Sequence, residues 1–346
     1  MVDLPDGFVR HRAEIADEMR AVLAGRDSPI YNMVRYALGW QESDGTAREG
    51  GGKGIRPSLT LMTAEALRPD AADEARKRAV GGAAAIELVH SFSLVHDDIQ
   101  DGDLERHHRE TVWVVWGRAQ AINVGDALRE LSEQALRRSS EAGVGAESVL
   151  AAQRLLNDTT LEMIEGQYMD LEFEGRSDVG VDEYLAMIER KTGAMIGCSM
   201  AMAGLLAIDD ADTAAALNRA GRRLGLCFQI RDDWLGIWGD SDATGKSSDN
   251  DIRRRKKTYP IVYTFERADQ SARATLDIIY AQETLSDADV DEVLGILAQL
   301  GAAEAADAAA AAQLAAFSDE IAALGLSPAA TATFDAVARF MLQRDR

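Results

Sequence analysis

The chain has 346 residues, 47% of them hydrophobic, enough to bury a sizeable core in one large helical domain or two ordinary ones. Its 58 acidic against 37 basic residues give a formal net charge of −21, which repels phosphate backbones at long range and argues against nucleic acid as a partner. The same balance lacks the basic bias of proteins drawn to anionic lipid, and 6% aromatics with abundant alanine favour closely packed helices over β structure.

Period-3.6 apolar spacing predicts helices over 8–24, 29–40, 55–68, 73–101, 112–138, 146–174, 181–206, 211–238, 259–279, 287–299, 301–324 and 328–344. The first twenty residues are charged throughout, with no apolar stretch of the kind a secretory signal needs. No run of about 18 apolar residues predicts a membrane-spanning helix. Cys198 and Cys227 both sit in apolar helical text and read as core residues of a reducing compartment, so the expected location is cytosolic. Two irregular stretches interrupt the helices: Gln41 to Gly54, which ends Gly-rich, and Gly239 to Lys257, which ends in five consecutive cations, Arg253 to Lys257. Neither a composition break nor a 20–50-residue repeat is visible, so the expectation is an all-α fold in one domain across 1–346.

The first feature that packing does not explain is Asp97-Asp98-Ile99-Gln100-Asp101, at the end of an apolar helix. Asp97 and Asp101 lie four apart and share a face. Carboxylates crowded at a helix C-terminus oppose the macrodipole and repel each other. A divalent cation removes the conflict, and Mg²⁺ is typically held by a few carboxylates plus substrate phosphates. A solvated acidic helix end is the ordinary alternative for one such motif. However, Phe228-Gln229-Ile230-Arg231-Asp232-Asp233 runs a second apolar helix into paired aspartates, with Gly236 where a third might stand. Two clusters are harder to dismiss than one, and carboxylates on facing helices are a known way to hold metal in a bundle.

Cations complete the pattern: Lys53 and Arg56 after the Gly-rich stretch, Arg106 after the first cluster, Lys191 mid-chain, and Lys246 and Lys256 after the second. In so acidic a chain the run Arg253 to Lys257 reads either as a solvated loop or as a clamp for phosphate oxygens. Gly245-Lys246-Ser247 is not a P-loop, because its spacing is wrong and no buried strand leads into it. The five histidines form no H-E-x-x-H pair, which argues against zinc, and Trp113 and Trp116 read as packing residues.

From about Gly51 to Pro260 these residues resemble the trans-isoprenyl diphosphate synthases, the polyprenyl synthetases. Gly51-Gly52-Lys53-Gly54-Ile55-Arg56-Pro57 is similar to the G-G-K-x-x-R-P segment, and Asp97 to Asp101 to the first Asp-rich motif. Gly166-Gln167-Tyr168-Met169-Asp170 resembles G-Q-x-x-D, Lys191-Thr192 the K-T pair, and Phe228 to Asp233 the second Asp-rich motif. Thr244-Gly245-Lys246, Asp251 and Lys256 resemble the basic loop behind it.

The resemblance implies an all-α bundle around a deep cavity, usually in a homodimer. It implies that Asp97, Asp101 and Asp232 bind Mg²⁺, three ions together with the substrate diphosphate, with Asp98 and Asp233 in support. Arg106, Lys191, Lys246 and Lys256 would hold the allylic diphosphate; Lys53, Arg56 and His90 would hold isopentenyl diphosphate; Thr192 and Gln167 would present oxygens to the carbocation. Positive charge around the leaving diphosphate and a dry apolar cavity suit an allylic C–O cleavage, and no protein nucleophile is needed.

Phe92 and Ser93 lie five and four residues before Asp97, about 6–7.5 Å down the helix, and would face the growing tail. One aromatic beside a small residue resembles members that stop near twenty carbons, which predicts geranylgeranyl diphosphate.

Departures from the family pattern gather on the isopentenyl side. His107 replaces an arginine whose bidentate fork imidazole does not reproduce, Gly54 stands where another arginine is frequent, and Arg129 and Glu130 sit in a usually apolar helix. This asymmetry keeps two alternatives open: a terpene-synthase-like enzyme that cyclises an allylic diphosphate alone, and a weakly active subunit that tunes a partner synthase.

Overall fold

The computed structural model describes residues 6–48, 52, 54–239 and 250–343. Lys53, Lys246 and the Thr244-Gly245 pair, singled out from the sequence, lie outside the described residues. The described chain is all-α apart from one short hairpin, β1 (Glu105–Arg106) with β2 (Arg109–Glu110), and a single bridge between Gln41 and Ala47. Its described residues form two compact units, those within 6–157 together with 199–214, and 158–198 together with 215–239 and 250–343.

The first unit contains α1 (Asp6–Arg10), α2 (Arg12–Leu23), α3 (Ile30–Ala37), α4 (Ile55–Leu67), α5 (Ala72–Gln100), α6 (Val112–Trp116) and α7 (Arg118–Arg137), with parts of α8 (Ala146–Glu174) and α10 (Ala194–Ala207). Its centre is α5, which buries Ala75, Ala79, the run Gly81 to Ile86, Leu88 and Val89. Small residues let neighbours approach from two sides. A Cβ on Gly81 would stand 2.6 Å from the Ala135 carbonyl oxygen of α7, and one on Gly82 would stand 2.5 Å from Leu206 Cδ1 of α10. Pro69–Gln100 is, contrary to the sequence expectation, long and apolar enough to cross a membrane, at mean hydropathy 1.2. Over half of that window is buried in the fold, as in the core helix of a globular unit.

The second unit holds α9 (Val181–Ile188), most of α11 (Ala211–Trp238), α12 (Asn250–Arg253), α13 (Tyr259–Arg267), α14 (Gln270–Tyr280), α15 (Asp287–Gln299), α16 (Ala302–Ala323) and α17 (Pro328–Gln343). One apolar cluster joins Phe173, Tyr184, Ile188, Cys227, Ile230 and Tyr259 to Ala306 and Ala310 of the Ala-rich α16. Cys198 and Cys227 are free and buried, as expected of core residues. Arg231 is also buried, 2% exposed, donating to Asp307 at 2.9 Å and lying 4.2 Å over the Trp234 ring.

Several predicted helices are broken, each for a local reason. The stretch 112–138 divides at Gly117, whose φ of 83° no helix accommodates. The stretch 259–279 divides at Asp269, whose side chain accepts from Ala272 N–H at 2.9 Å and so caps α14. Predicted helix 181–206 contains a π-turn, Glu189–Gly193, in which the Ala194 N–H bonds back to Glu189. Such one-turn insertions are frequent at functional sites, and this one carries Lys191 and Thr192.

Candidate active site

In the first unit α5 ends at Gln100. The Asp101 N–H closes the last turn on the Asp97 carbonyl at 2.8 Å, and Gly102 at φ 68° turns the chain away. Asp97 is half-buried, Asp101 is exposed, and the two stand one turn apart. Asp98 differs: it is 5% exposed and accepts from Arg106 Nε at 2.7 Å. Burial pushes its carboxyl above the usual range, with Arg106 opposing. Asp98 thus holds the hairpin next to its tip, and Arg106 is placed by it. The hairpin tip is His107-His108, both in the left-handed region at φ 52° and 59°, where two-residue hairpin turns usually carry Asn or Gly. Arg109 is tied to the Tyr36 and Gln41 carbonyls at 3.2 and 2.9 Å.

One helical stretch back, α4 brings Arg56 to His90. Guanidinium has only protons to give, so at 3.2 Å from Arg56 Nη1 the His90 Nε2 accepts and the ring proton sits on Nδ1. Burial, then the charges of Arg56, Arg106 and His107, hold His90 well below the ordinary histidine range. His90 is therefore a neutral ring. Glu87, one turn earlier, lies under the same arginine; burial raises its carboxyl above the usual range and Arg56 opposes. Phe92 is buried and meets the His96 ring edge-on at 4.9 Å, while Ser93 Oγ donates to the His90 carbonyl at 2.9 Å.

In the second unit the backbone of Lys191 lies hard against Gly166. A Cβ there would stand 2.4 Å from Lys191 N, so only glycine admits the π-turn to this place. Lys191 Nζ pairs with Asp170, and Gln167 Oε1 is buried. Thr192 Oγ donates to Gln229 Oε1 at 3.0 Å, and Gln229 Nε2 donates to Asp233 Oδ1 at 3.1 Å. The other oxygen of Asp233 accepts from the Tyr184 hydroxyl and from the Tyr259 N–H, the latter at 2.9 Å. Burial pushes Asp233 up to about 7 against those donors, and Tyr184 is raised well above its usual value by burial and by Asp233. Asp232, its neighbour, is exposed. The two aspartates of this motif thus occupy opposite environments.

Gly236 has a partner of its own. A Cβ on it would fall 2.0 Å from Asp251 Oδ2, so the carboxylate of α12 fills the space a side chain at 236 would need. In the basic run that follows, Arg253 pairs with Asp287 at 2.8 Å, Arg255 donates to the Gln282 carbonyl, and Lys257 lies over the Phe265 and Tyr280 rings at 5.4 and 5.1 Å. Arg253, Arg255 and Lys257 thus have partners within the fold, which narrows the sequence reading of a five-residue clamp; Arg253, Arg254 and Lys256 are exposed. Among the described residues no three His, Cys, Asp or Glu side chains converge as a ready metal site.

The sequence pattern of the family described as polyprenyl synthetase matches residues 45–297. The chain belongs to this family. The (2E,6E)-farnesyl diphosphate synthase of Mycobacterium tuberculosis is 39% identical over 287 residues, covering 83% of this chain and 77% of that one. The geranylgeranyl diphosphate synthase of the same species is 37% identical over 293 residues, 84% of this chain and 81% of the other. Among solved structures, the polyprenyl synthetase from Streptomyces coelicolor superposes with TM-score 0.89 at 35% identity, covering 98% of this chain and 100% of that one. This polyprenyl synthetase is therefore an enzyme, a trans-prenyltransferase.

Sequence reasoning missed Gln229, Tyr184 and Glu87 in this polyprenyl synthetase. Gln229 lay inside the quoted second motif, and its four-residue spacing to Asp233 on one helix face was the available signal. Tyr184 and Glu87 carried none, since each is defined by a neighbour distant in sequence.

Proposed function

We propose that this chain joins an allylic diphosphate to isopentenyl diphosphate with Mg²⁺, giving a longer trans-prenyl diphosphate, geranylgeranyl diphosphate in the simplest case. What carries this reading is the pair Asp97 and Asp101, hard oxygen donors one turn apart at the end of α5 in a chain of the polyprenyl synthetase family. That donor set suits Mg²⁺, which binds through one or two carboxylates and completes its shell with water and substrate phosphate. Asp97, Asp101 and Asp232 would hold the ions, three in number, and the bound metal would neutralise charge developing on the leaving diphosphate.

The chain's own residues do the remainder. Arg106, aimed by Asp98, holds allylic diphosphate oxygens together with Lys191, Lys256 and Lys246. Arg56 and Lys53 hold isopentenyl diphosphate, beside the neutral His90, whose Nε2 accepts from Arg56. His107 adds a contact at the hairpin tip. Thr192 and Gln167 offer oxygens to the allylic cation, Phe92 and Ser93 set how far the tail extends, and the departing proton goes to the released diphosphate.

Residues 1–346 act as one synthase domain, cytosolic and homodimeric. Supporting a partner copy, Leu161, Ile164 and Tyr168 of α8 form an exposed stripe at helical spacing, 59%, 47% and 64% exposed. The test is incubation of purified protein and Mg²⁺ with geranyl or farnesyl diphosphate, with and without isopentenyl diphosphate. Longer diphosphates appearing only with isopentenyl diphosphate support elongation; a hydrocarbon or alcohol formed without it overturns it.

A further inference from the structure

The second Asp-rich motif pairs one exposed carboxylate with one buried among hydrogen-bond donors. Among the described residues, Asp233 receives hydrogen bonds from the Tyr184 hydroxyl, the Tyr259 N–H and the Gln229 amide. These bonds leave little of the carboxylate for a metal ion. The bonds also have a direction. Gln229 must turn its NH₂ toward Asp233, which turns its carbonyl oxygen toward Thr192. A threonine hydroxyl has one proton, and at 3.0 Å that proton goes to Gln229 Oε1. Whatever else meets Thr192 Oγ therefore meets lone pairs. The π-turn, pressed onto Gly166, fixes the backbone from which the hydroxyl projects.

We propose that Asp233 is a positioning residue for the carbocation rather than a metal ligand: held by Tyr184, it locks Gln229 so that Thr192 presents only electron density to the ionising allylic group. Donating its proton into this chain of bonds also makes Thr192 Oγ a better acceptor for positive charge. Asp232 and Asp233, adjacent in sequence, then serve opposite partners, the exposed one the diphosphate side and the buried one the hydrocarbon side. This inference rests on the prenyl-transfer reading given above.

The test uses the full-length enzyme and three readouts: single-turnover cleavage of geranyl diphosphate, the Mg²⁺ midpoint of turnover, and calorimetric binding of inorganic pyrophosphate with Mg²⁺. Asp233→Asn and Thr192→Val each slow the single turnover by about 10–100-fold, the scale of one buried hydrogen bond lost near reacting charge. Both leave the Mg²⁺ midpoint and pyrophosphate binding within about twofold, whereas Asp232→Asn shifts them. The double variant Asp233→Asn/Thr192→Val is no slower than the worse single, because one chain of bonds is broken either way. Thr192→Ser recovers most of the rate lost in Thr192→Val. Tyr184→Phe, which keeps the carboxylate, repeats the pattern in milder form and replaces Asp233→Asn should that variant not fold. Penalties that multiply, or an Mg²⁺ shift in Asp233→Asn equal to that of Asp232→Asn, would overturn the relay while unaltered wild-type elongation left prenyl transfer standing. No elongation by the wild-type protein would overturn both.

Discussion

Gly166→Ala isolates what the π-turn contributes. The added Cβ would lie 2.4 Å from Lys191 N, 2.8 Å from its Cα and 2.9 Å from its Cβ, where ordinary contact begins at 3.4 Å. The opposing atoms are mainly backbone, so the Lys191–Thr192 segment must withdraw by about 1 Å, the gap between those distances. Overpacking of this kind costs about 1–3 kcal/mol, and the better helix propensity of alanine in α8 offsets about 1 of it. The net loss, up to about 2 kcal/mol, lowers Tm by a few degrees in a unit of this size. Activity suffers more, since a misplacement of about 1 Å at reacting groups costs on the order of 100-fold in rate. The expected result is a folded enzyme with a small Tm decrease and kcat reduced about 100-fold, measured by elongation of geranyl diphosphate and by thermal unfolding. A Gly166→Ala enzyme with wild-type kcat would refute the claim that this close approach sets the position of Thr192.

Restoring the third aspartate by Gly236→Asp should harm the enzyme, because the new side chain would collide with the Asp251 carboxylate and add like charge; Gly236→Asp/Asp251→Ala should regain part of the lost Tm. His90 gives a pH signature. Its folded pKa lies well below 6.5, so the unfolded chain binds the proton more readily, and stability falls as pH drops below about 6.5. Denaturant titrations of His90→Gln should show a flatter slope there; an unchanged slope would remove His90 as the source. Asp307→Ala takes away the carboxylate that buried Arg231 donates to, and with Asp307 partly open to water the loss should be about 1–3 kcal/mol by denaturant titration. Phe92→Ala should lengthen the product on chromatographic analysis, and an unchanged product would remove Phe92 from chain-length control.

By itself the sequence determined the all-helical class, the positions of most helices and the seating of both aspartate pairs on apolar helices, the first of them at a helix end. These follow from a period of 3.6 and from the conflict of clustered carboxylates with the helix dipole, properties written locally along the chain. The family was legible for the same reason, since its motifs are short runs.

Only tertiary structure separated residues that the sequence treats alike. Asp232 and Asp233 are adjacent and chemically identical, yet one is exposed and the other is buried under Tyr184 and the Tyr259 N–H, some fifty and twenty-six positions away. Likewise, nothing local marks Lys257 as covered by two aromatic rings while Lys256 stays open. Solvation and hydrogen-bond partners decide what a charged group does, and both are supplied by segments that the chain brings near only when it folds.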